Sequence, residues 1–389
     1  MARYYLTTAI DYSNGEPHLG HAVEKIGADV MARYRRATAH DVHFLIGMDE
    51  HGQKVAQEAE KRGLEPQEWV DRIARSFVKT WEHLEISNDD FIRTTEERHH
   101  RGVRALLERI RAAGDFYPAT YTGYYCTGCE AFKREEELED GRCPLHPSRE
   151  IQWTEEENLF FRLSKYRDAL LEHIRAHPGF IRPESRRNEM LRLLEGGLED
   201  ISASRSRFPW GVPFPGEEGY TAYVWFDALP NYITAVGFPD EEYRRWWPAQ
   251  VHVIGKDIAR FHCIIWPAML MSAGVPLPES VWVHGFINIG GGKLSKSEGE
   301  RLELPAVIER HGPDALRHFL LREVPWDGDR DFPSAGAFLE QFDERYNGDL
   351  ANDLGNLLNR VVAMVSKYRD GVVPGGHESS LDGIRKRVF

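Results

Sequence analysis

Apolar residues in the first 115 positions form short continuous runs that alternate with stretches of helical spacing. The run from Tyr4 to Ile10 and the run at 41–48 (DVHFLIGM) each predict a buried strand. Between them, apolar side chains three and four residues apart predict a helix from about His18. The same patterns predict helices at 52–62, 66–84 and 96–113 and a short strand at 91–94. Strands and helices that alternate in this way predict a parallel sheet covered on both faces.

The alternation stops near residue 115 and resumes near residue 220. The segment 116–215 is rich in tyrosine, contains three of the four cysteines, and has helical spacing only near its middle and end, at 165–177 and 187–194. We interpret it as an insertion into a split sheet. Strands are then predicted at 252–254 and 281–287, on either side of a helix at 258–273, and a glycine triplet follows at 290–292. Helices are predicted beyond it, including one long amphipathic pattern at 338–368.

Composition and charge narrow the class of protein. The 389 residues suffice for two to three domains, and the net charge of −13 argues against a protein that coats nucleic acid through bulk charge. A local basic face stays open: the helix at 98–111 and the cluster at 244–247 are candidate RNA contacts, or else solvated surface. Four cysteines do not make a disulfide scaffold, and no run of about 18 apolar residues predicts a membrane span. With no signal-peptide core at the amino end, we expect a cytoplasmic protein.

A His-x-Gly-His sequence stands at the predicted start of the first helix, within 16–21 (EPHLGH). A helix amino terminus presents unpaired N–H groups and the positive end of the helix dipole, which suit phosphate. His18 and His21 lie on one face and can both donate to a triphosphate, while Gly20 lets a flat base approach the backbone. By itself the sequence is equally compatible with a helix start that happens to carry two histidines.

Two lysines follow the glycine triplet, in 293–297 (KLSKS). Lys293 and Lys296 on such a loop can close over a pyrophosphate and stabilise the charge that develops during in-line displacement at phosphorus. The alternative for this loop alone is a solvated basic segment. HLGH and KLSKS, one in each half of a split sheet, are together a far more specific signal than either sequence alone.

Three cysteines and a histidine have the spacing of a metal site. Cys126 and Cys129 form one close pair, and Cys143 and His146 form a second. Thirteen residues separate Cys129 from Cys143. Two such pairs predict a tetrahedral structural Zn²⁺ site, the alternative being three free thiols near a histidine. Cys263 lies in an apolar predicted helix, and we expect it in the core.

HLGH and KLSKS together resemble the two signature sequences of the class I aminoacyl-tRNA synthetases. Other stretches resemble the methionyl-tRNA synthetases within that class, and the resemblance extends from about residue 3 to 368. The stretches that carry it are 44–52 (FLIGMDEHG), 91–99 (FIRTTEERH), 223–229 (YVWFDAL), 254–258 (IGKDI) and 349–357 (DLANDLGNL).

The resemblance implies a fold, a site and a reaction. It implies an α/β fold: a split Rossmann-type parallel sheet with a zinc-binding insertion and a helical C-terminal segment. The halves of the catalytic domain would span 1–115 and 216–300, the latter with the KLSKS loop, and the connective insertion with its zinc knob 116–215. Residues 301–389 would hold a stem-contact region and the start of an incomplete helical anticodon-binding bundle.

The site residues that the resemblance implies form three sets. ATP would be bound, with Mg²⁺, by His18, Gly20, His21, Asp257, Lys293 and Lys296, of which His18, His21, Lys293 and Lys296 would be catalytic. Methionine would be bound by Ile10, Tyr12, Asp49, Trp225, Ala228, Leu229, Tyr232, Ile258 and His262. Structural zinc would be bound by Cys126, Cys129, Cys143 and His146. Asp49 is placed to pair with an ammonium group, and aromatic rings suit a thioether, although Trp225 and Tyr232 also fit plain core packing.

Four positions depart from the family pattern: Asp11, Met48, Ala203 and Glu300. Ala203 stands where we expect the family's arginine, so Arg205 or Arg207 would have to replace it. The chain also ends about twenty residues after the long predicted helix, which leaves too little for a complete bundle.

The main prediction is therefore a ligase that joins methionine to tRNA, and that we expect to be a monomer. ATP and methionine would give methionyl-adenylate and pyrophosphate, and the adenylate would then acylate the 3′ end of tRNA. Three alternatives stay open: a paralogue that makes an aminoacyl-adenylate for a non-tRNA acceptor, a small nucleotidyltransferase, and a non-catalytic RNA-binding module.

Overall fold

The structure, a computed structural model, describes residues 2–126, 131–133, 135–144, 151–206, 208–290, 292–293 and 302–373; at 131, 132, 292 and 293 it describes the backbone alone. Contacts divide the chain into one unit at Met1–Ala335 and another at Gly336–Phe389. Lys296, Cys129, His146, Arg207 and Glu300 lie outside the described residues.

The first part of the chain follows the predicted alternation closely. Its elements are β1 (Arg3–Thr8), β2 (Asp11–Tyr12), α1 (Leu19–Ala37), β3 (Asp41–Asp49), α2 (Gln53–Glu60), α3 (Pro66–His83), β4 (Asp90–Arg93) and α4 (Glu97–Ala112). Residues of β1 and β3 are buried almost throughout because helices cover both faces of a parallel sheet. The predicted strands at 4–10 and 41–48 and the helix from about His18 are thus confirmed.

The segment between the two halves is built mainly of antiparallel strands. Its elements are β5 (Phe116–Cys126), β6 (Ala131–Lys133), β7 (Ile151–Phe161), α5 (Arg167–Ala176), β8 (Ile181–Arg182), α6 (Glu184–Glu195), β9 (Ile201–Ser202), β10 (Ser204–Arg205) and β11 (Thr221–Ala222). Strands β5 and β7 form a ladder of eleven pairs, from Phe116 opposite Phe161 to Cys126 opposite Ile151.

The second half returns to the parallel sheet. Its elements are α7 (Val224–Ala228), α8 (Asn231–Thr234), β12 (Val251–Gly255), α9 (Trp266–Ser272), β13 (Val281–His284), β14 (Ile287–Ile289), β15 (Gly292–Lys293), α10 (Leu304–His311), α11 (Pro313–Glu323) and β16 (Arg330–Phe332). The helix predicted at 258–273 is broken up into a 3₁₀ turn at Lys256–Ile258, a π-helical stretch at Phe261–Ile265, and α9.

The large sheet has the order β2-β3-β1-β12-β13-β8, with β4 paired to β3, and each of its pairs is parallel. Strand β1 lies between β3 and β12, so the two halves of the chain meet at its centre: Leu6 is opposite both Phe44 and Val251. The predicted α/β fold with a parallel sheet is confirmed. Strand β8, which lies in the segment predicted as an insertion, extends this sheet at its edge through Val281.

The second unit is helical over its described residues. It holds α12 (Ala335–Arg345), a π-helical stretch at Tyr346–Leu354 and α13 (Gly355–Arg369). Several large apolar side chains of this stretch are exposed, among them Leu357, Leu358 and Met364. Within the described residues, no helix has both the length and the apolar composition that crossing a membrane requires.

Candidate active site

The HLGH sequence forms the amino terminus of α1, at the carboxyl edge of the parallel sheet. His18 is the N-cap in extended conformation, and its Nδ1 accepts a hydrogen bond from the backbone N–H of Gly20 at 3.1 Å. The Nδ1 of His21 accepts one from the backbone N–H of His18 at 3.2 Å. An acceptor nitrogen has no proton, so both neutral rings carry their proton on Nε2. The backbone therefore presets both histidines as Nε2–H donors.

The two imidazole rings are neutral and stacked. Their centroids are 3.7 Å apart at an interplanar angle of 18°. Burial lowers the pKa of His18 to about 4, and burial together with the neighbouring charges of His18 and Lys25 lowers the pKa of His21 well below its ordinary value. Gly20 suits this position because a Cβ would lie only 3.0 Å from Cε1 of His18, so the imidazole ring would have to shift by a few tenths of an ångström. Its absent side chain thus makes room for the histidine cap.

Three residues predicted to bind methionine lie at the carboxyl ends of β1 and β3. Ile10 and Tyr12 belong to the segment that leads from β1 through β2, and Tyr12 is opposite Asp49 in the parallel ladder. Asp49 is the last residue of β3 and is 8% exposed. Ser13 N–H donates to the Asp49 carbonyl at 2.9 Å, which holds this segment beside β3. The three residues predicted to bind the amino acid thus lie where strands β1 and β3 end.

Trp225, also predicted to bind methionine, forms an aromatic pair with Phe261. Trp225, on α7, is half-buried and stacks on Phe261 with centroids 3.6 Å apart and an interplanar angle of 10°. Phe261 was absent from the predicted set, since only its packing against Trp225 reveals it. Ala228 and Leu229 follow on the same short helix and are buried.

Tyr232 and His262 form a buried polar pair. His262 Nδ1 lies 3.0 Å from the Ile258 carbonyl and donates to it, so Nε2 is the acceptor for the Tyr232 hydroxyl at 2.7 Å. Burial lowers the pKa of His262 to about 4, and it raises the pKa of Tyr232 well above its ordinary value. The pair is therefore neutral, as an apolar thioether side chain requires of its neighbours. Ile258, half-buried, closes the 3₁₀ turn just before His262.

Two residues that were not predicted, Glu24 on α1 and His284 on β13, join the two halves of the sheet. Glu24 Oε2 lies 3.1 Å from Nε2 of His284, the last residue of β13.

Asp257, predicted to bind ATP, lies on the 3₁₀ turn that follows β12 and is exposed. Lys256 beside it pairs with Asp329. Lys293 lies on β15, whose backbone alone is described.

A buried carboxylate supports the strand end below Asp49. Asp227 Oδ2 lies 2.7 Å from Nδ1 of His51, and Asp227 Oδ1 lies 3.0 Å from Nε2 of His99. Burial alone would raise the pKa of Asp227, but the two histidines lower it well below its ordinary value. These contacts join the FLIGMDEHG, FIRTTEERH and YVWFDAL stretches in space.

Arg205 lines a small cleft next to this cluster, together with His51, Trp210 and Tyr223. Its guanidinium lies 3.2 Å from a Glu156 oxygen and 4.5 Å from the Tyr125 ring centroid. Ala203, in contrast, is fully buried. Arg205, one of the two arginines considered as replacements for the arginine expected at position 203, therefore faces the cleft, and Arg207 lies outside the described residues. Met48, another departure, is a buried residue of β3.

The described residues of the predicted zinc site are Cys126 and Cys143. Cys126, the last residue of β5, is opposite Ala131 in the antiparallel β5–β6 ladder. Cys143 follows a turn, closed by the Glu139–Arg142 bridge, in which Asp140 and Gly141 both have positive φ. Both thiols are buried. Among the described residues no group of three or more potential ligands is found, and Cys129 and His146 lie outside them. Cys263, as expected, belongs to the core.

The candidate RNA contacts are engaged within the protein. On α4, Arg98 pairs with Asp90, Arg101 with Asp240, Arg104 with Glu97 and Arg111 with Glu217. Trp247 is 3% exposed and donates to the Pro276 carbonyl. Arg3, at the start of β1, donates to the carbonyls of Arg244 and Arg245. The 244–247 cluster thus lies at the amino edge of the sheet, away from the HLGH histidines.

Comparison with known proteins agrees with this geometry. A family model described as tRNA synthetases class I (M) matches residues 4–152 and 135–362. The methionine–tRNA ligase of Thermotoga maritima is 48% identical over 395 residues, which cover 100% of this chain and 62% of the relative. That of Brucella suis is 48% identical over 377 residues, covering 96% of this chain and 72% of the relative.

A crystal structure of Mycobacterium tuberculosis methionyl-tRNA synthetase bound by methionyl-adenylate superposes with a TM-score of 0.90 at 46% identity, covering 99% of this chain and 76% of that chain. The chain spans about three fifths of the length of the first curated relatives it matches. Sequence and fold agree, and the chain therefore belongs to the class I tRNA synthetases of the methionyl (M) type.

Proposed function

We propose that the protein is a methionine–tRNA ligase that activates methionine with ATP and transfers it to the 3′ end of tRNA. The observation that carries this proposal is a convergence at one sheet edge. The HLGH donors at the start of α1 and the set formed by Asp49, Trp225 and Tyr232–His262 come from distant parts of the sequence. Open parallel sheets bind their ligands at this edge.

At the ATP end, the proposal assigns phosphate binding to His18 and His21. Both present an Nε2–H, and the unpaired N–H groups and dipole of α1 add positive potential at the same place. The methionine carboxylate attacks the α-phosphorus, the bond to the β-phosphate oxygen breaks, and pyrophosphate leaves with Mg²⁺. Lys293 and Lys296 are proposed to stabilise the charge that develops on the phosphates. No covalent bond to the protein forms.

At the amino-acid end, Asp49 is proposed to pair with the ammonium group of methionine. The Trp225–Phe261 stack and the neutral Tyr232–His262 pair would surround the thioether, whose sulfur interacts favourably with aromatic rings. In the second reaction, the terminal ribose hydroxyl of tRNA attacks the acyl carbon and AMP leaves. Because tRNA charging serves translation, we infer a cytoplasmic location.

A structural zinc ion belongs to the proposal. Cys126 ends β5 and Cys143 directly follows a turn, and thiolates with one imidazole suit tetrahedral Zn²⁺. Cys126, Cys129, Cys143 and His146 would be its ligands, with no position left for substrate. When bound, such an ion supplies folding free energy to the turns and takes no part in the chemistry.

The test is ATP–pyrophosphate exchange with each of the twenty amino acids, followed by acylation of tRNA. We expect exchange with methionine and charging of methionine tRNA. Exchange without charging would instead support a paralogue that serves a non-tRNA acceptor. A complete absence of exchange would contradict the proposed activity and favour a non-catalytic RNA-binding module.

A further inference from the structure

Lys25 is a cation enclosed in the protein beneath the candidate active site. Its side chain has 0% exposure, and Nζ lies 2.9 Å from the Ala9 carbonyl, from Asp11 Oδ1 and from Glu24 Oε1. An ammonium group has three protons, so each of them is donated. A lysine buried with this set of partners has one geometry, because any other would leave a carboxylate unpaired in the interior.

Two of these three bonds flank a predicted methionine-binding residue. Ala9 and Asp11 stand on either side of Ile10, and Tyr12 follows directly. Backbone bonds hold the ends of this segment, from Ala9 N–H to the Val253 carbonyl and from Ser13 N–H to the Asp49 carbonyl. Strand β2 pairs with β3 at Asp11 and Tyr12 only, so the bonds from Lys25 add a side-chain tie to a short ladder.

Helix α1, in contrast, has other anchors. Leu19 and Ile26 are fully buried, and Asp29 accepts hydrogen bonds from Ser87 and from Arg317 on α11. Loss of the Lys25–Asp11 bond would therefore displace the segment 9–12 and leave the HLGH cap in place. The amino-acid end of the site would be affected more than the ATP end.

The cluster is costly if its role is stability alone. Asp11 is 5% exposed, and within the described residues its Oδ2 has no hydrogen-bond partner. A buried carboxylate with one unsatisfied oxygen contributes less than well-packed apolar side chains would. Its cost in stability is explained if this charged pair, which lies directly beside the predicted methionine site, fixes the position of the segment that carries Ile10 and Tyr12.

We propose that Asp11 and Lys25 are positioning residues: their buried ion pair fixes the segment that carries Ile10 and Tyr12, and thereby sets the affinity for methionine. The inference rests on the proposed function, because it concerns the amino-acid end of the same site.

The test is steady-state pyrophosphate exchange by the full chain, with methionine and ATP varied separately. Asp11→Ala removes the acceptor, and we expect the KM for methionine to rise about tenfold while the KM for ATP stays within about twofold, because misplacement of a binding segment weakens only the contacts it makes. Asp11→Asn keeps an oxygen for Lys25 and should restore much of the affinity, to within about threefold of wild type. Lys25→Met should behave as Asp11→Ala does.

A matched control separates positioning from stability. Asp29→Asn weakens a buried ion pair further along the same helix, so it should lower the melting temperature without raising the KM for methionine. If Asp29→Asn raised this KM as Asp11→Ala does, or if Asp11→Ala raised both KM values equally, the positioning role would be refuted. Should Asp11→Ala fold poorly, Lys25→Met, compared with Asp29→Asn at equal melting temperature, decides the matter: a methionine KM raised in Lys25→Met alone supports positioning, and equal KM values refute it.

The two proposals fail differently. Wild-type protein without methionine-dependent exchange would contradict the proposed function and this inference together. Normal wild-type exchange with an unchanged methionine KM in Asp11→Ala would overturn the inference alone.

Discussion

His18 and His21 are fixed as donors by the backbone of their own helix turn. In each ring Nδ1 accepts from a main-chain N–H, which leaves the proton on Nε2. Since burial lowers the pKa of His18 to about 4, this donor needs no protonation at neutral pH. The motif thus combines a helix cap with a phosphate-binding surface.

Replacing His18 with Asn tests this division of roles. Asn is among the best N-cap residues, so α1 should keep its start and the melting temperature should change little. The shorter side chain cannot offer the Nε2–H to phosphate, and we expect the rate of pyrophosphate exchange to fall about 10²-fold. His177→Asn, at an exposed histidine far from α1 in sequence, is the control and should exchange at the wild-type rate. An active His18→Asn protein would refute the assignment.

Asp11 predicts a pH dependence of stability. Burial, opposed by Lys25 and reinforced by Glu24, raises the pKa of Asp11 to about 7, whereas Asp29, for instance, has a lowered pKa. Because the folded state holds this proton more tightly than the unfolded chain, stability is lost as pH rises through about 7. Glu24 and Lys25 on α1, and His284 on β13 through Glu24, are the charged or titratable groups that face Asp11.

The measurement is the free energy of unfolding at pH 5 and pH 8 for wild type and Asp11→Asn. Wild type should lose at most about 3 kcal/mol relative to the variant over this interval, at about 1.4 kcal/mol for each pKa unit. A difference between the two proteins that does not vary with pH would show that Asp11 ionises normally.

At the scale of elements, the π-helical stretch at Phe261–Ile265 decides how the proposed methionine site is lined. It places Phe261 against Trp225 and, one residue later, His262 against Tyr232 on α8. π-helical stretches within helices often occur at functional sites. The helical pattern in the sequence indicated a regular helix here, because one extra residue in a turn leaves the apolar spacing nearly unchanged.

Tyr232→Phe tests whether the polar pair distinguishes sulfur from methylene. Removing the hydroxyl takes away its hydrogen bond to Nε2 of His262 and one group able to contact sulfur. We expect the ratio of kcat/KM for methionine over norleucine to fall about fivefold, as loss of one weak contact would produce. Tyr117→Phe, which loses a hydroxyl bonded to Asp200, should keep the wild-type ratio. An unchanged ratio in Tyr232→Phe would exclude the pair from selectivity.

The proposed zinc ligands of the insertion predict the metal content of the protein. Purified protein should contain about one zinc per chain by mass spectrometry, and Cys126→Ser or Cys143→Ser should lose most of it, because a tetrahedral site depends on each ligand. Cys263→Ala is the matched control, since burial keeps the pKa of that thiol well above its ordinary value within the core. Zinc retained in both Cys126→Ser and Cys143→Ser would refute the site.

At the scale of the whole molecule, the charge of −13 bears on how tRNA would be recognised. The arginines of α4 that were candidates for RNA contact pair with acidic side chains, among them Asp90, Asp240 and Glu217. An acidic protein that binds tRNA depends on few phosphate contacts, and those contacts are sensitive to salt.

Salt should therefore separate the two proposed reactions. Between about 50 and 200 mM salt, we expect the KM for tRNA in aminoacylation to rise at least tenfold, while methionine-dependent pyrophosphate exchange changes less than about twofold. Both rates are measured on one preparation over the same salt series. Equal sensitivity of the two reactions would indicate that salt acts on the catalytic domain itself and would contradict recognition of tRNA through salt-sensitive phosphate contacts.

The sequence by itself determined the parallel α/β fold, the helix start at His18 and the family. These features depend on neighbouring residues: apolar spacing fixes strands and helices, and short sequences such as HLGH and FLIGMDEHG carry their own signal. What only the tertiary structure decided are the partners. Lys25 bonds to Asp11, and Glu24 meets His284, which is 260 residues away.

Arg205 rather than Ala203 faces the cleft, and β8 of the inserted segment extends the large sheet. The physical reason is that the free energy of a buried charge, a stacked ring or an edge strand depends on which distant group removes it from water. Local sequence patterns do not specify that group.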